Sequence, residues 1–84
     1  MVDNNHYKTS DTTLACYLIT EHFYLTSIDY SQIRYEYSFP LSEGIQEAAN
    51  NFLSGNALTD PVDFSRVNKK LMRVIRKRCQ WEED

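Results

Sequence analysis

Ile33-Arg34-Tyr35-Glu36-Tyr37-Ser38-Phe39 alternates apolar and polar side chains without a break. Successive side chains of an extended chain point to opposite faces, so Ile33, Tyr35, Tyr37 and Phe39 share one face and Arg34, Glu36 and Ser38 the other. Pro40 ends this strand, because it has no N–H to donate to a ladder. Upstream, Phe23-Tyr24-Leu25-Thr26-Ser27-Ile28 is rich in the β-branched and aromatic types that strands favour. Residues 23–39 are therefore predicted to form a β-hairpin. Its connection is Asp29-Tyr30-Ser31-Gln32, which lacks the Asn-Gly pair of a tight turn and suits a four-residue loop. Tyr7-Lys8-Thr9 leaves room for a short third strand.

Outward from the hairpin the period changes. Ile45, Ala48, Ala49, Phe52 and Leu53 recur at helical spacing after a start at Ser42 or Glu43, and Gly55-Asn56 supply a left-handed stop. The last element begins with Asp60 as N-cap, Pro61 at the first helical position and Asp63 at the positive end of the dipole. Phe64, Val67, Leu71, Val74 and Ile75 make its apolar face. On the N-terminal side, Ser10 or Asp11 caps a helix predicted over residues 12–21, on which Leu14, Tyr17 and Leu18 are spaced i, i+3, i+4.

The fold class read from these elements is α+β: a small antiparallel β-hairpin packed by about three helices. The 84 residues suffice for one domain. The expected limits are a disordered N-terminus over residues 1–6, the domain over 7–79 and an acidic tail over 80–84. The helix stripes led by Phe52 and by Leu71 are expected to cover the Tyr35/Tyr37/Phe39 face.

Three stretches carry a likeness beyond composition. They are Asp11 with Leu14-Ala15-Cys16-Tyr17-Leu18, the aromatic strand ending at Phe39, and Ala57-Leu58-Thr59-Asp60-Pro61 leading through Phe64 to Leu71 and the basic helix. In these the chain resembles a family of short prokaryotic and phage domains of unknown function, over residues 9–77. The resemblance implies a small domain and carries no activity with it.

Charge is divided sharply along the chain. Residues 1–65 hold nine acids against Lys8 and Arg34, a balance of −7. Residues 66–78 hold seven bases and no acid, and Glu82-Glu83-Asp84 follow. The cations Arg66, Lys69, Lys70, Arg73, Arg76 and Lys77 fall opposite the apolar stripe of the last helix and are the candidate contact residues for a partner or a nucleic acid. Phosphate contact by such a helix would be driven by counterion release. Against it stand the overall pI of about 5.3, far below that of dedicated nucleic-acid binders, and the acids at the helix end. A solvated or protein-facing helix is the favoured reading, with Arg76, Lys77 and Arg78 also stabilising the negative helix end. Self-association is a further expectation, through the charge split or through apolar residues such as Tyr24 and Ile28.

No catalytic or metal-binding constellation emerges. Cys16, Cys79, His6 and His22 form no pair with zinc-ligand spacing, so no metal site or cofactor is expected. Cys16 and His22 are the only thiol and imidazole near one another in sequence, and their spacing does not bring them into contact. Glycine occurs only at 44 and 55, which leaves no phosphate-cradling loop. Tyr35, Tyr37 and Phe39 could stack on bases, but the glycine-rich motif of such sheets is missing and core packing is expected. The opening residues lack a signal-peptide pattern and no apolar run is long enough for a membrane span, so a reduced, cytoplasmic, non-enzymatic protein is expected.

Overall fold

The structure is a computed structural model and describes residues 5–82. The chain runs β1 (His6–Thr9), α1 (Thr12–Thr20), β2 (Ser27–Asp29), β3 (Glu36–Pro40), α2 (Glu43–Leu53) and α3 (Pro61–Lys77). The three strands form one antiparallel sheet in the order β1-β3-β2. The third strand is real: Tyr7 pairs with Phe39 and Thr9 with Tyr37, while Ile28 faces Tyr37 from the other side. Tyr37, Phe39 and Ile28 are buried, and Lys8, Ser27 and Asp29 on the opposite face are exposed. The expectation of an α+β domain with three helices and a small antiparallel sheet is met.

The hairpin is shorter than its alternation suggests. Strand pairing ends at Asp29 and Glu36, and residues 30–35 form a longer loop. The cause lies at Asp29, whose Oδ1 accepts from the Ser31 N–H at 2.9 Å and from Ser31 Oγ at 2.5 Å. This Asx turn bends the chain out of the ladder. Ile33, assigned to the inner face by period, is fully exposed on that loop. Phe23–Thr26 do not extend β2, because α1 ends in a Schellman motif. The His22 N–H reaches the Ile19 carbonyl, the Phe23 N–H reaches Leu18, and His22 takes a left-handed φ of 72°.

Helix α1 holds the centre. Asp11 Oδ1 caps it through the N–H groups of Thr13 and Leu14 at 3.0 and 3.1 Å. Every residue from Leu14 to Thr20 is buried, so the helix is enclosed on all sides and shows no single stripe. Helices α2 and α3 pack chiefly on α1. This corrects the expected layering, in which their stripes lay directly on the Tyr35/Tyr37/Phe39 face. Tyr17 stacks on Phe52 with centroids 4.9 Å apart, and Thr12 Oγ1 and Tyr37 Oη share a hydrogen bond of 2.8 Å. One cluster still unites Leu18, Ile45, Leu71, Tyr37 and Phe39.

The chain stays packed past Cys79. The Gln80 side-chain amide accepts from the Ile28 N–H at 2.7 Å and donates to the Ile28 carbonyl at 3.0 Å, as a neighbouring strand would. Trp81 is buried in the main cluster. The expected boundary between domain and tail therefore falls within packed chain as far as Trp81. At the other end the Asn5 carbonyl accepts from the Leu41 N–H at 3.0 Å and His6 belongs to β1, so the expected disordered segment is packed at residues 5 and 6; its residues 1–4 lie outside the described residues, as do residues 83–84.

Candidate docking surface on the last helix

Helix α3 is built as its sequence requires. Asp60 Oδ1 accepts from Val62 N–H at 2.8 Å and Asp63 N–H at 3.4 Å, Pro61 opens the first turn, and Arg76 and Lys77 close the last. Leu71 and Val74 are buried, with Phe64, Val67 and Ile75 half-buried beside them. The helix lies against α1, where Cys16 Sγ donates to Asn68 Oδ1 at 3.4 Å.

The seven bases separate into distinct roles. Arg78 adopts a left-handed φ of 52° and ends the helix. Its guanidinium sits 5.2 Å from the Tyr30 ring and 5.8 Å from the Tyr35 ring, and Nη2 donates to the Tyr30 carbonyl at 3.2 Å. Tyr30 Oη in turn donates to the Cys79 carbonyl at 2.6 Å, so this cation fastens the α3 terminus to the hairpin loop. Lys70 is half-buried, with Nζ 4.3 Å from the Trp81 ring centroid and donating to the Glu82 carbonyl. The expectation that Lys70 points away from the apolar side is thereby corrected, since Trp81 folds back to meet it. Arg66 donates to Asp63 Oδ1 at 2.9 Å in an exposed ion pair. Lys69, Arg73, Arg76 and Lys77 are exposed and make no ion pair among the described residues.

The outward surface also carries two apolar residues outside the buried stripe, Val62 at 73% exposure and Met72 at 37%. A hollow of about 480 Å³ is lined by Val62, Ser65, Arg66, Lys69 and Arg73. A second of about 430 Å³ is lined by Asn68, Lys69, Met72, Arg73 and Arg76. Both are open, and Lys69 and Arg73 belong to both. Val62 and Met72 were legible in sequence as apolar residues outside the Phe64/Val67/Leu71 stripe, but charge alone drew the expectation to this face.

The other constellations are dispersed or buried. Cys16 is enclosed, and burial first, with Asp11 second, pushes its thiol up to about 11. A thiol so raised is a poor nucleophile at neutral pH, and its hydrogen-bond partner is Asn68, not His22. Tyr37 and Phe39 are fully buried and Tyr35 is packed beside Tyr30, so this strand presents no stacking platform. Ile28 is buried and unavailable for self-association, whereas Tyr24 is exposed. Among the described residues no group of three His, Cys, Asp or Glu side chains could hold a metal ion, and no helix is long and apolar enough to cross a membrane. Comparison with protein-family models, with curated proteins and with solved structures finds no match to this chain.

Proposed function

We propose that the protein is a non-catalytic interaction module that docks an acidic, amphipathic segment of a partner protein on the outer face of α3. The observation that carries this reading is the interleaving of Lys69, Arg73 and Arg76 with exposed Val62 and Met72 on one helix face. A nucleic-acid backbone would use the cations but leave the two apolar side chains against hydrated phosphates. A helix or strand with carboxylates flanking an apolar row uses both. The free thiols of Cys16 and Cys79 support placing this activity in a reducing, cytoplasmic setting.

The test is a titration with a designed helical peptide bearing a leucine row flanked by glutamates, followed by ¹H–¹⁵N chemical shifts at ~0.15 M salt. Shifts should cluster at Val62, Ser65, Lys69, Met72 and Arg76, and the double change Lys69→Glu/Arg73→Glu should remove them while the remaining spectrum stays folded. Duplex DNA, single-stranded DNA and RNA should give negligible binding in the same buffer. Micromolar nucleic-acid binding with a log–log salt slope of about −4 to −5 would instead establish phosphate contact by the helix.

A further inference from the structure

A different cleft, of about 350 Å³, lies where the end of α1 meets the middle of α3. That volume is within the range of small-ligand sites, roughly 300–1,000 Å³. Arg66, Lys70 and Arg73 line it from successive turns of α3, at the i, i+4, i+7 spacing that keeps side chains on one face. Thr20 at the end of α1 and His22 just beyond it line the cleft from the other side, and Ile19, Val67 and Trp81 add an apolar wall.

The cations are arranged unequally. Arg66 is held by Asp63, the carboxylate that also lines the cleft. Lys70 is held over Trp81 and by the Glu82 carbonyl. Arg73 makes no hydrogen bond or ion pair among the described residues. Two cations are thus positioned in advance and a third is free to close on an anion. They are not spent on the carbonyl end of α1, because the Tyr17, Leu18 and Ile19 carbonyls accept from the backbone N–H groups of Glu21, Phe23 and His22. His22, at the rim, stands in a left-handed conformation that is uncommon for a residue with a side chain.

We infer that this cleft binds a small phosphomonoester, its phosphate against Arg66, Lys70 and Arg73 and its organic body against Ile19, Val67 and Trp81. A phosphate group offers close to two negative charges and three acceptor oxygens, which matches a lining of three cations and the Asp63 carboxylate better than a single carboxylate does. The inference shares Arg66 and Arg73 with the docking face but does not rest on the docking reading, since Lys69, Met72 and Val62 take no part in the cleft.

Phenyl phosphate is the probe, titrated into the folded chain in ~0.15 M sodium chloride and read by ¹H–¹⁵N shifts and by the fluorescence of Trp81, the sole tryptophan. Binding should saturate, with shifts confined to Thr20, His22 and the 66–73 turns of α3. Inorganic phosphate should bind at least about tenfold more weakly and phenol not at all. Arg73→Gln and His22→Asp should each weaken phenyl phosphate by about tenfold or more, the latter placing a carboxylate at the rim with a residue type that tolerates left-handed φ. Val62→Ser, an uncharged change on the outer face outside the cleft lining, should change this binding by no more than about twofold. Shifts that never saturate, an equal response to phenol, or unchanged binding in both Arg73→Gln and His22→Asp would overturn the site.

Discussion

Helices α1 and α3 pack against each other, yet their surfaces follow opposite rules. Helix α1 carries no charge between Thr12 and Thr20 and is buried from Leu14 onward on every side. Helix α3 buries Leu71 and Val74, half-buries Phe64, Val67 and Ile75 beside them, and exposes cations on the opposite face. A helix enclosed on all sides can hold the sheet and two other helices together but has no surface left with which to recognise anything. A helix with one buried stripe contributes to the core and keeps a face for recognition. In a domain of this size the core must be small, and dividing the two tasks between neighbouring helices lets one element be wholly structural.

The largest test of that division is truncation. Leu18→Ala in α1 and Leu71→Ala on the inner stripe of α3 should each cost about 2–5 kcal/mol, because both remove fully buried side chains from a packed cluster. Lys69→Ala on the outer face should stay within about 0.5 kcal/mol of the parent. Urea unfolding followed by far-ultraviolet circular dichroism measures all three. A Leu18→Ala protein as stable as the Lys69→Ala protein would show that α1 is not the keystone of the core.

How much of this was legible beforehand follows from where the information lies. Helix α3 was legible because Asp60, Pro61 and its apolar stripe are local signals that need no knowledge of the remaining chain. Five of the six candidate cations stand exposed where the helical period put them: Arg66, Lys69, Arg73, Arg76 and Lys77. Lys70 departs because its neighbour Trp81 is brought back by a chain reversal at Arg78, a residue type that gives no sign of a left-handed turn. The central place of α1 was illegible for a related reason. Leu14-Ala15-Cys16-Tyr17-Leu18-Ile19 is apolar throughout, so it has no period from which an inward face could be read, and only tertiary packing decides that all faces are inward. In the hairpin, alternation extended to Ile33, but the local competition of the Asp29 carboxylate for Ser31 ended the ladder earlier.

The second test uses pH and separates the two helices by what they bury. Cys16 on α1 has its thiol raised from 9.0 to about 11, chiefly by burial, and burial likewise raises Tyr37, which faces α1 through Thr12. In both groups the neutral form is favoured in the fold. In the unfolded chain the thiol ionises first, so below about pH 9 there is no difference in proton uptake from Cys16 and its contribution to stability is constant. Between pH 9 and 11 the unfolded state loses that proton while the folded state keeps it, and stability falls as pH rises. Cys16→Ala should flatten this alkaline decline in denaturant midpoint, although its baseline stability differs. A slope unchanged in Cys16→Ala would show that the buried thiol is not its source.

The smallest effect concerns how the two helices end. Both stop in a Schellman motif whose left-handed position is filled by a residue other than glycine: His22 for α1 and Arg78 for α3. Helix α2 uses Gly55 at the same place, where φ is 80°. A side chain in that conformation costs roughly 1–2 kcal/mol, part of which glycine returns by being more flexible in the unfolded chain. The imidazole of His22 is exposed and makes no hydrogen bond among the described residues, so His22→Gly should stabilise the protein by about 0.5–1 kcal/mol. For a domain of this length that is a rise of a few degrees, about 2–8 °C, in thermal midpoint. Arg78→Gly relieves the same strain but removes the guanidinium from Tyr30 and Tyr35 and deletes its hydrogen bond to the Tyr30 carbonyl. Those contacts are worth about 0.5–1 kcal/mol for each exposed cation–π pair and about as much for the hydrogen bond. The loss should match or exceed the relief, leaving the thermal midpoint of Arg78→Gly level with the parent or below it. If both glycine variants gain equally, Arg78 is no clamp and the α3 terminus is held by Gln80 and Trp81 alone. If neither gains, the strain at His22 is compensated by contacts of its imidazole in solution, and the α1 terminus then depends on its side chain no less than the α3 terminus does.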